Sequence, residues 1–453
     1  MDVLNQLPLL EAFWRLWREV LPESFLDRVY DEHRGRCYRK DFSFDQLVHL
    51  VHDAMTQHGG RARATLERHP LPASIQAFYG KVRRMPVAVS QALLAEAAPR
   101  LHRCLPAASR RSVPACFRDH QLLIFDGKLF KNAAKRLKET RPLAGAALGG
   151  KALAVLDYAT GLIRGMEAHQ DGHRNEQMLV QPLLDQLRPR VPGRRVWVAD
   201  QHFGNLCNFA RCTQDGDEAI LRKHPHTVFA ADPSQKPKTG VDEKKRRYRD
   251  EVGTLSSSRQ SPQPARRITV ERPGEDDLVI VTSLRDRAAF PAAAILEVYR
   301  ARWSIEETFQ KVVEIFHLKR LIGSHPLAMI FQASLCLTLY NVMTVLRALL
   351  AQTQKCPPHD VSMYQVNYDL KRQLTTSHTL LPPEEFLPQL PPPEKTLPQR
   401  LARIKALLKR AWLPRWAKVP NKKRHLPKPK HAKGQAAHFS IDKVLRKSQN
   451  EDV

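Results

Sequence analysis

Apolar residues recur with two different periods along this chain. In roughly the first quarter the spacing is helical: Leu9, Leu10, Phe13, Trp14, Leu16 and Trp17 fall on one stripe at three- and four-residue intervals. A second helix is expected from Phe42 through His52, with Asp41 as its N-cap. A third runs from Ser74 to a basic cluster before Pro86, and His49 and His52, three apart, are expected on a helix surface. These helices suit DNA contact, dimer formation or a purely structural cap, and the pattern does not choose among them.

From Gln121 the period changes to that of strands. Residues 121–126, 152–156 and 162–167 are three strands, the last two joined by the turn-rich Asp157-Tyr-Ala-Thr-Gly161. An amphipathic helix over 175–187 follows, with a kink expected at Pro182. Then come a strand at 195–200, a helix at 203–211 and a strand at 218–222. This order matches a mixed α/β fold, the RNase H-like sheet flanked by helices, in which the first and fourth strands are neighbours.

Residues 224–275 interrupt the pattern. They are polar and basic, with Lys244, Lys245, Arg246 and Arg247 in one run and Arg266-Arg267 further on, so small strands around a mobile basic loop are expected. A strand at 278–284 and a helix beginning near Pro291 resume the core. From Pro326 to Leu346 no residue is charged, long enough for a membrane span, but Gln332, Ser334, Thr338, Tyr340 and Asn341 favour a buried helix. A Pro-rich linker at 380–398 leads to a basic helix at 400–410 and the run Lys422-Lys423-Arg424. Three regions result: a helical part, 1–115, for DNA binding or dimerisation; an α/β part, 116–350, with the insertion; and a basic part, 351–453.

Charge then changes the picture. The 453 residues hold 73 Lys and Arg against 46 Asp and Glu, a formal net charge of +27. Such an excess favours a polyanionic partner, nucleic acid before any other. Between Lys395 and Ile441 there is no acidic residue, unlike an ordinary solvated face of mixed sign. These tail cations are expected to bind phosphates without reading sequence. Seven scattered cysteines fit reduced thiols, and the N-terminus lacks the features of a signal peptide, so a cytoplasmic, nucleoid-associated bacterial protein is expected.

Candidate chemistry rests on three carboxylates. Asp126 closes the apolar run 122–125, Asp200 closes 196–199, and Glu306 shares a helix face with Tyr299 and Arg302 at i, i+3 and i+7. Two aspartates at strand ends and a helical glutamate suit a pair of hard divalent cations, Mg²⁺ with Mn²⁺ as the alternative, while Arg302 and Tyr299 suit a phosphate backbone. Other candidates have simpler roles: Asp157 in a turn, Asn175 as a helix cap, the His169/His173 pair in a loop, Trp303 and Phe309 in the core.

Together these residues resemble the DDE transposases of bacterial insertion sequences, specifically the insertion sequence four family. Its signature, Tyr-x2-Arg-x3-Glu-x6-Lys, is matched by Tyr299, Arg302 and Glu306; Phe125-Asp126-Gly127 and Ala199-Asp200 resemble the two aspartate motifs. The likeness covers about residues 120–345. It implies cleavage of element ends and strand transfer into target DNA, both double-stranded, by a homodimer that passes through a hairpin. The signature lysine is missing, since position 313 is valine. A nuclease that only hydrolyses, or a domesticated DNA-binding protein, are the competing expectations.

Overall fold

The computed structural model describes residues 6–37, 43–56, 62–67, 74–130, 147–257, 260–316, 322–380 and 390–418. Met1–Ala417 forms one compact unit, distinct from Lys418–Val453. The run Lys422, Lys423 and Arg424 and the cap expected at Asp41 lie outside the described residues.

Six helices come first: α1 (Pro8–Val20), α2 (Glu23–His33), α3 (Phe44–Thr56), α4 (Ala62–Leu66), α5 (Ile75–Arg83) and α6 (Val87–Cys104). Ser43 and Gln46 cap α3 reciprocally, each side chain accepting the other's backbone N–H at 3.1 and 3.0 Å. His52 corrects the sequence reading. It is 1% exposed, packed among Phe13, Trp14 and Trp17 with Asp53 at 3.1 Å, because the α1 aromatics cover the α3 face it occupies.

The sheet has ten strands: β1 (His120–Leu129), β2 (Lys151–Asp157), β3 (Ile163–His169), β4 (Arg194–Ala199), β5 (Glu218–Arg222), β6 (Val228–Ala231), β7 (Lys238–Val241), β8 (Arg247–Ser257), β9 (Gln260–Val270) and β10 (Leu278–Thr282). They run in the order β3-β2-β1-β4-β5-β10-β9-β8-β6, with β7 also on β8. β1 pairs parallel with β4 and β4 with β5, while β2 lies antiparallel to β1 and β3. This is the RNase H-like arrangement, with the first and fourth strands adjacent. Between β3 and β4 a 3-10 turn capped by Asn175 enters α7 (Val180–Leu187); Pro182 sits in its first turn, where no N–H is missed, so no kink falls there. Helix α8 (Leu206–Cys212) links β4 to β5.

The insertion differs from the expected small strands and loop. β8 and β9 are 11 residues each and extend the main sheet through β10. Charge hid them, since opposed ions occupy buried ladder positions. Arg266, fully buried, donates to Asp250 at 2.8 and 2.7 Å and to the carbonyls of Leu284 and Phe290, and Arg267 pairs with its cross-strand neighbour Glu251. Those arginines therefore fasten the insertion to the segment leading out of β10.

Helices α9 (Ala292–Arg300), α10 (Trp303–Ile315), α11 (Pro326–Thr353), α12 (Met363–Leu380) and α13 (Leu397–Ala411) complete the unit. Residues on alternate strand positions divide two cores. Leu122, Ile124, Ala152, Ala154, Val196 and Val198 join the helical core that includes α1, α6 and α9–α11, whereas Leu123, Phe125, Trp197 and Leu221 meet α7 and α8. Although α11 is long and apolar enough to span a bilayer, its apolar window is wholly buried in the protein. Asn341 accepts the Ile163 N–H at 2.8 Å and donates to its carbonyl at 2.7 Å, covering the sheet edge at β3. α13 is packed rather than free: Ile404, Leu407 and Leu408 are buried and Arg400 pairs with Glu19 at 2.6 Å.

Candidate active site

The apolar stripe Leu122, Ile124 on β1 continues into Asp126, and Val196, Val198 on β4 continue into Asp200. Ile124 is the register partner of Val198, so the two aspartates are the next equivalent positions on adjacent parallel strands. β4 ends at Ala199, whereas β1 runs three residues past Asp126 on its antiparallel partner β2, so Asp126 lies inside its strand rather than at the end expected. Asp126 accepts the Gly127 N–H at 2.8 Å, and Asp200 caps a short 3-10 turn by accepting the His202 N–H at 2.9 Å. On β5, whose Ile220 faces Val198, the same row holds Arg222. Opposite Asp126 and Lys128 on β2 stand Ala154 and Ala152, small side chains that leave room over the sheet.

The third carboxylate comes from above this face. The stretch expected as one helix is two. α9 ends at Arg300 and α10 begins at Trp303, with the Arg302 and Ser304 N–H groups bonding to carbonyls only three residues back. Tyr299 and Arg302 still turn inward and are 7% exposed each, with the Arg302 guanidinium 6.0 Å from the Tyr299 ring centre. Arg302 donates to Glu306 at 2.7 Å. Trp303, expected in the core, is 61% exposed, its ring 5.1 Å from that guanidinium, because the break between the helices turns it to solvent. Phe309 is buried as expected.

Electrostatics joins these groups. Burial, then repulsion by Asp200, pushes the Asp126 carboxyl up to about 6; Arg302 opposes the rise and Glu306 adds to it. Tyr299 is raised by burial against the pull of Arg302 and Arg222. Among the described residues the oxygens of Asp126, Asp200 and Glu306 do not all lie within 4.8 Å of one another; the ligand-type group that does is Glu32, His33 and Glu96, where Arg28 already neutralises Glu96.

The other sequence candidates divide. Lys244 and Lys245 are exposed on the β7–β8 turn, and Arg247 is exposed at the start of β8. Arg246 is engaged by Asp242 at 2.7 Å. Arg300 of α9 reaches Asp242 at 3.4 Å and Glu243 at 2.8 Å, which holds that turn against the helix of Tyr299. Sequence reasoning passed over Glu176: a Cβ on Gly127 would meet its carboxylate at 2.6 Å, so glycine permits the approach. Gly127 alternates with Asp126, however, which puts Glu176 on the opposite face of the sheet, beside Lys151 at 3.8 Å. Lys128 was also missed, although alternation places it on the face of Asp126.

An RNase H-like sheet with two aspartates in one row and a glutamate on the helix above defines the class of the site. Residues 117–342 match the family of the transposase DDE domain, a stretch just under half the chain that spans all three carboxylates. Over 84 residues, 18% of this chain and 23% of the relative, the sequence is 30% identical to a candidate transposase, y4zB, of Sinorhizobium fredii (strain NBRC 101917 / NGR234). A solved piggyBac transposase synaptic complex with hairpin DNA aligns at TM-score 0.43 and 11% identity, over 96% of this chain and 89% of that one. The family match and the relative support a DDE transposase.

Proposed function

We propose that this chain is a DDE transposase of the insertion sequence four family, cutting the ends of its element and joining them to target DNA. The observation that carries this reading is the row formed by Asp126 and Asp200 beneath Glu306, with Asp126 pushed up to about 6 by burial and by Asp200. Three carboxylates offer oxygen donors alone, the set that suits Mg²⁺ or Mn²⁺. Oxygens too far apart for one closed site fit a pair of ions better than a single one. When bound, divalent cations supply charge stabilisation for phosphoryl transfer.

The chain's own residues do the rest. Asp126 gives up its proton as it takes a cationic partner, which relieves the repulsion from Asp200. Arg302 orients Glu306 and offers its remaining donors to a phosphate; its Nε is buried without a partner. Tyr299 backs that guanidinium. In the first step a water oxygen bonds to phosphorus and the 3′-oxygen of the element end leaves, taking a proton. In the second, that 3′-OH attacks a target phosphodiester and expels another 3′-oxygen. The exposed Lys244, Lys245 and Arg247, the run Lys422, Lys423 and Arg424, and the helices of residues 1–115 are assigned to DNA contact, with a dimer bridging two ends.

Duplexes carrying the repeats that border the coding sequence test the reading. Asp126→Ala, Asp200→Ala and Glu306→Ala each abolish metal-dependent cleavage while end binding survives. Cleavage retained in any variant removes that residue from the triad. Binding without cleavage by the unaltered chain, in Mg²⁺ and in Mn²⁺, favours the domesticated DNA-binding protein to which Val313 would belong. Cleavage without joining favours a nuclease.

A further inference from the structure

Lys128 is the cation of this face that the proposed reaction leaves unused. It stands two residues beyond Asp126 on β1, so both side chains leave the same side of the strand. Its Nζ lies 5.7 Å from the ring centre of Phe309, on the helix of Glu306 and one turn further along. It is half-buried, and among the described residues it has no ion pair or hydrogen bond. The neighbouring cations are committed: Arg302 to Glu306, Arg300 to Glu243, Lys311 to Glu307, and Lys151 to Glu176 across the sheet.

The geometry points to Lys128 as a phosphate-binding residue of the active site, holding a backbone phosphate of the DNA beside the carboxylates. This rests on the reading of the site as one that acts on DNA. An ammonium next to three carboxylates with no partner of its own is held by packing, its stem along the sheet and its charge against an aromatic face. A phosphate entering between β1 and α10 meets the carboxylate oxygens through bound cations and needs a second positive group to fix it. Lys128 is the lysine in reach.

Position 313 supports the assignment. Val313 is one turn beyond Phe309 on α10, about 6 Å along the axis, and half-buried. A lysine there would project toward the region that the Lys128 ammonium occupies. One cation from the strand and one from the helix are therefore alternative ways to fill the same place. Gln310 and Lys311 are no substitutes, since Gln310 donates to Glu314 at 2.8 Å and Lys311 faces Glu307.

The test uses the full chain, Mg²⁺ and a duplex carrying the bordering repeats. Lys128→Gln is expected to slow cleavage about tenfold or more, the loss of one charge-assisted phosphate contact, and to make the plot of log affinity against log salt shallower by about 0.9. Lys128→Arg retains most of both. Val313→Lys changes little by itself but restores cleavage in the Lys128→Gln background. A merely structural lysine would lower the melting temperature in parallel with cleavage, leave the salt slope alone and gain nothing from Val313→Lys. Wild-type cleavage by Lys128→Gln, with an unchanged slope, overturns the proposal while the triad variants remain dead. If the triad variants also cleave as wild type does, the reading of the site itself has failed.

Discussion

Replacing Asp126 by asparagine should stabilise the metal-free protein, although it destroys the proposed catalytic site. The Asp126 carboxyl is raised from its ordinary 3.8 to about 6, first by burial and then by Asp200. At about 1.4 kcal/mol per pKa unit, ionising it in the folded chain costs about 3 kcal/mol, and about 1–2 kcal/mol after screening at a partly solvated carboxylate. The sign follows from proton binding. Between pH 3.8 and about 6 the folded state holds a proton that the unfolded state has lost, so wild-type stability falls as pH rises through this window and levels off above it. Asparagine has no such penalty, and its amide oxygen still accepts the Gly127 N–H. Urea unfolding in EDTA should therefore show Asp126→Asn more stable by about 1–2 kcal/mol at pH 7.5, with the gap closing toward pH 4. Millimolar Mg²⁺ should narrow or reverse the order, because only the wild type gains binding energy from it. A variant no more stable than wild type at pH 7.5 in EDTA, or a gap of the same size at pH 4, refutes the electrostatic account of the site.

Two other predictions concern charge in different settings. Arg302→Ala should reduce strand transfer by about tenfold or more, as a charge-assisted phosphate contact is lost and Glu306 loses its orienting partner, whereas Tyr299→Phe keeps the ring under the guanidinium and should do less; single-turnover joining assays compare them. Ending the chain at Ala417 should lower affinity for all duplexes alike and flatten its salt dependence, yet leave folding intact, since Trp416 remains buried with its indole N–H donating to Asp369 at 2.7 Å. Ending it at Thr396 should instead unfold much of the protein, because Ile404, Leu407 and Leu408 leave the core at about 2–5 kcal/mol each; circular dichroism separates the two truncations.

That contrast revises what the basic C-terminal region means. Read as sequence, everything from Arg400 onward looks like one phosphate-binding tail, because no acidic residue follows until after Ile441. In the fold, the partners come from the other end of the chain: Arg400 meets Glu19 at 2.6 Å and Arg403 meets Glu11 at 3.5 Å. The insertion was misread for the same reason, with Asp250 and Glu251 opposing Arg266 and Arg267 across a strand ladder. His52 and Trp303 were assigned to the wrong side of the surface, since a helical period says which residues share a face and not what covers it.

What the sequence determined by itself is therefore what local periodicity can encode. Alternation over residues 120–126 and 194–200 was enough to set both aspartates on one face and to order the strands as an RNase H-like sheet. The spacing of Tyr299, Arg302 and Glu306 survives a break between two helices, because one turn tightened by a hydrogen bond leaves the direction of the face nearly unchanged. Only the tertiary structure decided which charges are spent. An arginine is the same residue in sequence whether it ends buried against an aspartate or open to a phosphate, and the difference lies in partners tens or hundreds of residues away. Lys128 and Arg266 illustrate both outcomes: the sheet gives Arg266 two carboxylate oxygens and two carbonyls, and gives Lys128 a ring to rest on and no ion pair among the described residues.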